Sequence, residues 1–392
     1  MTQLAIHGGT PANTTPFPRW PQWDEREQTR ILNVLESGEW GGFNPMVKEF
    51  EATFAKRHQA QYCYTCVNGT SSLEAALRAV GVGYGDEVIV PPYTFIATAN
   101  AVRLAGATPV FVDVEPETYN LDVSKIEEAL SPKTKAVIPV HFAGLMADMD
   151  ALLPLAQKHN LAIIEDAAHA HGSTWSGTPA GTIGHIGSFS LQQSKNLTAG
   201  EGGILLTNDE ALAGKLWSFI NQGRSPAGAW YEHANLGSNL RMTGWQAAIL
   251  LAQMERFEEQ LQRRMSSARR LNAILEEIDG LQPMRWDERA DNHAFHLYMM
   301  RYDAEGFAGL SRNHFVEALR AEGIPCSTGY ARPLYEQPPL TAPNSRTLPC
   351  PVAEKACTEV IWLTQNVLLA EPEQIDRIAE AVVKIKENVA SL

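Results

Sequence analysis

Residues 186–206 read Ile-Gly-Ser-Phe-Ser-Leu-Gln-Gln-Ser-Lys-Asn-Leu-Thr-Ala-Gly-Glu-Gly-Gly-Ile-Leu-Leu and place a lysine in a polar, glycine-rich loop. The apolar runs on either side, 186–191 and 204–206, have the length and composition of buried strands. Lys195 is flanked by hydroxyl groups and glycines, and not by the acidic partners of a solvated helix face. A loop lysine is most often a solvent-exposed residue, so the rest of the chain decides whether Lys195 has a chemical role.

Short apolar runs alternate with stretches of helical spacing on both sides of this loop. The runs lie at 87–90, 109–112, 136–140, 162–164, 186–191 and 204–206. The helical stretches lie at 71–80, 95–105, 124–130, 149–159 and 210–220. Nearly continuous apolar strands that alternate with helices predict an α/β fold with a mainly parallel sheet covered on both faces.

A long helix is predicted to lead out of this core. Residues 244–277 contain no proline and no internal glycine, and they are rich in Ala, Leu, Gln, Glu and Arg. Beyond it the pattern predicts a strand at 296–302, a helix at 311–322, a loop at 333–351 and a final helix from about Glu371. We therefore predict a large domain over 1–255, which includes the N-terminal segment, and a smaller C-terminal α/β domain over 256–392.

The composition disfavours several classes of protein. A chain of 392 residues with 44% hydrophobic content can bury a large core, and its formal charge of −13 repels nucleic acids and anionic membranes. The N-terminus lacks a basic segment followed by an apolar one, and no stretch approaches the ~18 apolar residues of a membrane span. We predict a cytoplasmic protein that binds neither nucleic acid nor a membrane.

The five cysteines are sparse for this length, so reduced thiols are expected. Cys63 and Cys66 have the spacing of a redox dithiol or of half a zinc site. Residues 62–67 also have the pattern of a buried strand, in which positions i and i+3 point to opposite faces. We therefore interpret the pair as structural.

Sheets of this kind bind ligands beyond the carboxyl ends of their strands, and two of those ends precede helices. Residues 68–72 combine an Asn, a Gly and three hydroxyl side chains ahead of the helix at 71–80, which fits a phosphate site as well as a plain helix cap. Phe95, at the start of the next predicted helix, is placed either to cover a flat cofactor or to pack in the core.

The strand at 162–164 continues into the sequence Glu-Asp-Ala-Ala-His-Ala-His-Gly over 165–172. The carboxylate of Asp166 is suited to pair with a pyridinium nitrogen, with His169 near the same ring. A metal site built from Asp166, His169, His171 and His141 is the alternative. It leaves the phosphate-type loop and the loop lysine without a role, so we favour the first interpretation.

A phosphate site, an aromatic ring, a strand-end aspartate and a downstream lysine are together the parts of a pyridoxal 5′-phosphate site, in which the lysine forms a Schiff base. The chain resembles the DegT/DnrJ/EryC1/StrS family of sugar and cyclitol aminotransferases along nearly its whole length. The motifs that carry the resemblance are Gly-Asp-Glu-Val-Ile-Val-Pro (85–91), Tyr-Thr-Phe-Ile-Ala-Thr (93–98), Gly-Ala-Thr-Pro-Val-Phe-Val-Asp-Val (106–114), Glu-Asp-Ala-Ala-His-Ala-His-Gly (165–172), Ser-Lys-Asn-Leu-Thr-Ala-Gly-Glu-Gly-Gly (194–203) and Gly-Ser-Asn-Leu-Arg-Met (237–242).

The resemblance implies a fold type I transferase with a seven-stranded type of sheet between helices, and it implies a role for each matching position. Lys195 matches the Schiff-base lysine and general acid/base, and Asp166 matches the partner of the pyridine nitrogen. Phe95 matches the aromatic that stacks on the ring, and His169 the histidine beside it. The positions that match phosphate contacts are Gly69, Thr70 and Ser190.

The resemblance also implies a homodimer with a shared active site. Asn239 matches a residue that reaches the cofactor phosphate of the neighbouring subunit. Arg241, two residues further on, is a candidate for the same shared site.

The implied reaction is transamination of a keto sugar or keto cyclitol, with glutamate or glutamine as the amino donor. The sequences of the motifs are most similar to those of cyclitol aminotransferases and 3-amino-5-hydroxybenzoate synthases. An aromatising dehydratase that uses the same cofactor is therefore an alternative. A catalytically silent, cofactor-binding regulatory partner is another. The residues expected to select the acceptor, or else to pack, are Trp175, Trp230, Tyr231 and the segment 329–333.

Overall fold

The computed structural model describes residues 3–225, 227–229 and 231–392. Its strands are β1 (Tyr62–Cys66), β2 (Glu87–Val90), β3 (Thr108–Phe111), β4 (Thr134–Val137), β5 (Ala162–Asp166), β6 (Thr174–Trp175), β7 (Thr178–Pro179), β8 (Ile186–Ser190), β9 (Gly203–Thr207), β10 (Leu281–Pro283), β11 (Leu297–Tyr302), β12 (Arg346–Thr347) and β13 (Val360–Thr364). Its helices are α1 (Glu25–Ser37), α2 (Pro45–His58), α3 (Gly69–Ala79), α4 (Ala97–Leu104), α5 (Ile126–Ala129), α6 (Met149–His159), α7 (Glu210–Ile220), α8 (Gly244–Leu275), α9 (Arg312–Ala321), α10 (Pro351–Glu359) and α11 (Pro372–Glu387).

The central sheet of the described residues has the strand order β1-β9-β8-β5-β4-β2-β3-β12. The strands from β8 to β12 are parallel along this order, and β9 is antiparallel to both of its neighbours. Seven of these strands come from residues 62–207; six match the alternating apolar runs, and β1 matches the strand predicted over 62–67. The two-residue strand β12 lies within the segment 333–351, which was predicted to be a loop, and it extends the sheet at the β3 edge.

Both faces of the sheet are buried, which explains why its strands are apolar throughout. Ile89 packs with α2, α6 and α8 on one face, whereas Val88 and Val90 pack with α3, α4 and α7 on the other. Cys63 and Cys66 likewise lie in the cores on opposite faces, as predicted, and both thiols are free. Burial raises the pKa of both thiols.

Three of the helices that follow sheet strands begin where the sequence supplies a polar cap. The side chains of Asn68, Asp148 and Asp209 accept hydrogen bonds from backbone N–H groups in the first turns of α3, α6 and α7. Each cap satisfies a donor that the start of a helix would leave unpaired, so the position of the cap fixes where the helix begins.

The predicted long helix is α8, which begins at a capping box between Thr243 and Gln246. It packs against α1 and α2 from the N-terminal part and against α11 from the C-terminal part. The boundary at 255 falls inside this continuous helix and stays a prediction. Beyond α8, strands β10, β11 and β13 form an antiparallel sheet. The N-terminal segment packs against this C-terminal part, since Asn13 N–H donates to the Glu322 carbonyl at 3.0 Å.

Helix α10 and strand β13 follow the proline-rich segment and were not predicted, whereas the final helix, α11, begins one residue after the predicted position. None of the described helices is long and apolar enough to cross a membrane.

Candidate active site

Asp166 ends the central strand β5 and is 4% exposed. Its Oδ2 accepts a hydrogen bond from Thr98 Oγ1 at 2.8 Å, and its Oδ1 accepts one from the Ala168 N–H at 3.2 Å. Burial raises the pKa of this carboxyl group, although the two donors and the nearby Lys195 oppose the shift. A buried carboxylate in this state is stabilised by a cation placed against it, which fits a protonated pyridine nitrogen.

Lys195 lies in the loop that follows β8, and its charge interacts with that of Asp166. The loop turns back on itself through a hydrogen bond from the Lys195 N–H to the Gln192 carbonyl at 2.9 Å. The indole N–H of Trp20, from the N-terminal segment, donates to the Lys195 carbonyl at 3.1 Å. Burial lowers the pKa of the Lys195 amine to about 8, against the opposing effect of Asp166. The predicted lysine and aspartate therefore belong to one site.

His169 lies three residues beyond Asp166 and is buried. Its Nδ1 accepts a hydrogen bond from the Ala143 N–H at 3.3 Å. Its ring lies 5.6 Å from that of Phe142 and 4.2 Å from that of His296, measured between centroids. Burial lowers the pKa of His169 well below its usual range, and the positive charge of Lys195 adds to this effect. His169 is therefore a neutral imidazole that carries its proton on Nε2.

The predicted phosphate contacts meet at the start of α3. Gly69 lies so close to β8 that a Cβ atom on it would stand 2.7 Å from the Ser190 Cβ. The Asn68 side chain and carbonyl accept from the N–H groups of Ser71 and Ser72. The N–H groups of Gly69 and Thr70 point out of the helix end without an acceptor in the described chain. A positive helix end beside a serine hydroxyl suits a phosphate.

We expect Gly69→Ala to weaken cofactor binding. The new Cβ would push α3 away from Ser190, and overpacking of this kind costs about 1–3 kcal/mol. The dissociation constant of pyridoxal 5′-phosphate, measured by titration of the cofactor-free protein, should rise about tenfold or more. Gly83→Ala is the matched control, because a Cβ there meets no atom within 4 Å. Equal affinities in the two variants would contradict the placement of the phosphate.

Phe95 precedes α4 and is 58% exposed, so the alternative that it packs in the core is wrong. It lies three residues before Thr98, whose hydroxyl binds Asp166. An exposed ring at this position is free to cover a ligand, which keeps its predicted stacking role open.

The residues expected to select the acceptor fall into three groups. Trp175 is buried and stacks under the Arg289 guanidinium at 4.4 Å, so it is a packing residue. Tyr231 is exposed, whereas Trp230 lies outside the described residues. The Tyr330 ring lies 6.2 Å from that of Phe142, the ring that neighbours His169, so Tyr330 lies beside the site. Burial and the negative charge of Asp166 raise the pKa of Tyr330.

Asn239 lies on an exposed segment, next to Leu240, whose carbonyl accepts from the Val67 N–H beyond β1. No hydrogen bond joins its side chain to Lys195 or Asp166 within the described chain. Arg241 is half-buried, with its guanidinium 5.3 Å from the Phe43 ring.

The four histidine and aspartate side chains of the metal alternative do not converge. His141 uses both ring nitrogens, one with Glu165 Oε2 at 2.8 Å and the other with the Ala147 N–H at 3.1 Å. His171 packs against Phe189, with centroids 5.4 Å apart. Across residues 3–225, 227–229 and 231–392, no three His, Cys, Asp or Glu side chains are arranged to hold a metal ion.

Three residues of the site were not predicted, namely Trp20, Asn196 and His296. Asn196 and His296 share a hydrogen bond of 3.2 Å, and Trp20 covers the lysine loop. The sequence did offer one indication that His296 has a role, because a polar histidine lies directly ahead of a buried apolar strand. Its partner, one hundred residues earlier, could not be inferred.

Comparison with known proteins shows which family has this sequence and fold. Residues 21–383 match the sequence profile described as the DegT/DnrJ/EryC1/StrS aminotransferase family. The chain belongs to this family. It is 36% identical over 421 residues to the L-glutamine:2-deoxy-scyllo-inosose aminotransferase of Streptoalloteichus tenebrarius, with 99% of each protein covered.

Two further comparisons are with proteins that are named synthases. The chain is 37% identical over 378 residues to the 3-amino-5-hydroxybenzoate synthase of Amycolatopsis mediterranei, with 93% of this chain and 96% of that protein covered. The crystal structure of a 3-amino-5-hydroxybenzoic acid synthase superposes with a TM-score of 0.87 at 36% identity, over 94% of this chain and 99% of that one. The predicted family, α/β fold and enzyme class, an aminotransferase, are confirmed.

Proposed function

We propose that this aminotransferase uses pyridoxal 5′-phosphate to move an amino group from glutamine to the ketone of a cyclitol. The observation that carries the proposal is the full-length similarity to L-glutamine:2-deoxy-scyllo-inosose aminotransferase. The meeting of Lys195, Asp166 and His169 at one edge of the sheet supports it, because transamination needs an amine, a pyridinium partner and a shaped site. The alternatives are a keto sugar as the acceptor and glutamate as the donor. A panel of substrates, described below, distinguishes them from the proposed pair.

The residues present fit the cofactor. Its phosphate would lie at the helix end formed by Gly69 and Thr70 beside Ser190, and its ring nitrogen would face Asp166. When bound, pyridoxal 5′-phosphate supplies an aldehyde that condenses with amines and a ring that accepts the electrons of a broken carbon–hydrogen bond. The Asp166 carboxylate would keep the ring nitrogen protonated, and His169 and Phe95 would hold the ring in its plane.

The amine of Lys195 would both attach the cofactor and carry the proton that leaves the donor's α-carbon. A proton carrier works best when its pKa is near the working pH, and loss of solvation lowers the pKa of this amine to about 8. The same amine would return the proton to the acceptor in the second half of the reaction.

This lowered pKa predicts the pH dependence of lysine reactivity in the cofactor-free protein. Below about pH 8 the amine is an unreactive ammonium, and above it the neutral nucleophile dominates. Labelling of Lys195 by trinitrobenzenesulfonate, followed by peptide mass spectrometry, should reach half its maximal rate near pH 8. A short lysine peptide added as an internal standard should do so near pH 10.4. A common midpoint for the two would show that the amine is not buried.

We further propose a homodimer in which Asn239, and with it Arg241, completes the site of the neighbouring subunit. The exposure of the Asn239 segment in a single chain supports this arrangement. Mixing Lys195→Ala with Asn239→Ala subunits tests it, because each mixed dimer would regain one intact site. If subunits exchange freely, an equimolar mixture should recover about a quarter of the wild-type activity. Recovery of none, with exchange verified by tagged subunits, would place Asn239 in its own chain's site.

The substrate panel tests the reaction itself. Glutamine should bleach the visible absorption band of the loaded enzyme, and a keto-inositol should restore it, whereas a nucleotide-linked keto sugar should not. Restoration by the nucleotide sugar alone would overturn the cyclitol proposal. If neither glutamine nor glutamate bleaches the band, the catalytically silent alternative is supported.

A dehydratase that forms an aromatic amine is the second candidate, favoured by the similarity to 3-amino-5-hydroxybenzoate synthase. An amino-substituted cyclohexenone carboxylic acid distinguishes the two functions. A dehydratase would convert it to an ultraviolet-absorbing aromatic product without consuming glutamine.

A further inference from the structure

We propose that His296 is a positioning residue that fixes the Lys195 loop and the His169 ring relative to each other. The inference deepens the proposed function and rests on it. His296 lies directly before β11, in the C-terminal part of the chain, and is buried. Both groups that it contacts belong to loops of the central sheet.

The first contact is to Asn196, the residue after the lysine. The Asn196 Nδ2 group donates to the Ala294 carbonyl at 2.6 Å, and a carbonyl can only accept, so the orientation of the amide is determined. The Asn196 Oδ1 atom therefore faces the Nδ1 of His296, at 3.2 Å. Because this oxygen must accept, His296 carries its proton on Nδ1.

The second contact is to His169, whose ring lies 4.2 Å from that of His296 at an interplanar angle of 37°. The Nδ1 of His169 accepts from the Ala143 N–H, so its proton is on Nε2. The two imidazoles, which are tilted against each other, thus have opposite tautomers, each set by its own hydrogen-bond partner. Neither ring can rotate by half a turn without losing its hydrogen bond.

The two contacts have a common consequence for the site. Asn196 is covalently next to Lys195, so a shift of its amide moves the backbone that carries the reactive amine. His169 is the imidazole proposed to lie beside the cofactor ring. One residue of the C-terminal part therefore determines the spacing between the amine and this imidazole, and a misplacement of about 1 Å in such a site costs about 10²-fold in rate.

Two substitutions separate the contacts. His296→Asn retains a donor at the position of Nδ1 and loses the ring, whereas His296→Phe retains a ring against His169 and loses the donor. Asn196→Ala breaks the same hydrogen bond by removing its acceptor, so the loop contact can be tested even if His296→Phe does not fold. His58→Asn is the control for loss of a buried imidazole, because His58 is also buried and its Nδ1 bonds the Phe54 carbonyl at 3.0 Å.

The first readout is the pH midpoint of Lys195 labelling in the cofactor-free protein, so it does not require the cofactor. We expect His296→Phe and Asn196→Ala to raise it by about one unit toward that of a free lysine, because a released loop exposes the amine. His296→Asn and His58→Asn should leave it within about 0.3 units of the wild-type value.

The second readout is the rate of the donor half-reaction in the loaded enzyme. We expect His296→Phe and Asn196→Ala to lower it about 10- to 100-fold, with the KM for glutamine within about twofold. His296→Asn keeps the contact to Asn196 and loses the contact to His169, so it should lower the rate about 10-fold while its labelling midpoint stays at the wild-type value. A wild-type rate in His296→Asn, or an unchanged labelling midpoint in Asn196→Ala, would overturn the proposal. A wild-type enzyme without a donor half-reaction would instead overturn the proposed function, because the labelling comparison does not depend on it.

Discussion

Replacing Lys195 with alanine is expected to abolish the visible absorption band of the loaded protein and to lower turnover by at least about 10³-fold. The amine has two proposed duties, attachment of the cofactor and transfer of the proton, and the substitution removes both. The ionisable groups whose charges interact with that of Lys195 include the buried Asp166 and the neutral His169. The measurements are the absorption spectrum after addition of pyridoxal 5′-phosphate and the rate of product formation from glutamine and a keto-inositol.

Lys355→Ala is the matched control for this prediction. Its side chain is 66% exposed and pairs with Glu359 four residues along α10, an arrangement that contributes only a few tenths of a kcal/mol. It should leave the band and the rate unchanged. Retention of both properties by Lys195→Ala would show that Lys195 is not the attachment site. A small primary amine added to the alanine variant should restore part of the rate if the missing function is proton transfer.

The parts of this site that sequence could predict are those encoded by local patterns. Strand β2 and helices α6 and α7 have the bounds that the spacing of apolar residues predicts. Because parallel strands end at a common edge, the residues after β5 and β8 were expected to meet, and Asp166 and Lys195 do. The order of the strands was therefore enough to predict that Asp166 and Lys195 lie close together.

What the sequence could not predict depends on long-range packing. The bond between Asn196 and His296 joins residues one hundred positions apart, and Trp20 reaches Lys195 across 175 positions. Strand β12 is two residues long and exists because it pairs with β3, so its own sequence carries no strand pattern. Contacts of this type depend on how the C-terminal part and the N-terminal segment pack onto the sheet.

A second large effect is expected for Asp166→Asn. The substitution removes the negative charge that would keep the ring nitrogen protonated, so turnover should fall by about 10²- to 10⁴-fold. Stability should change little, because the neutral amide avoids the cost of a buried charge. It can still accept from either the Thr98 hydroxyl or the Ala168 N–H, and the loss of one such bond costs about 1 kcal/mol. The measurements are turnover and the free energy of unfolding in urea.

The adjacent carboxylate provides the contrast that makes this result interpretable. Glu165 is also buried, and it accepts from the N–H groups of Gly181, Ile183 and Gly184 and pairs with His141. Four donors around one carboxylate indicate a structural role. The Glu165→Gln variant should therefore be less stable than the wild type and should retain the wild-type rate per bound cofactor. The two neighbouring substitutions should therefore have opposite effects: Asp166→Asn lowers the rate in a stable protein, and Glu165→Gln lowers the stability of an active one. A loss of rate in both, at equal cofactor occupancy, would mean that Asp166 acts through the fold of the loop and not through its charge.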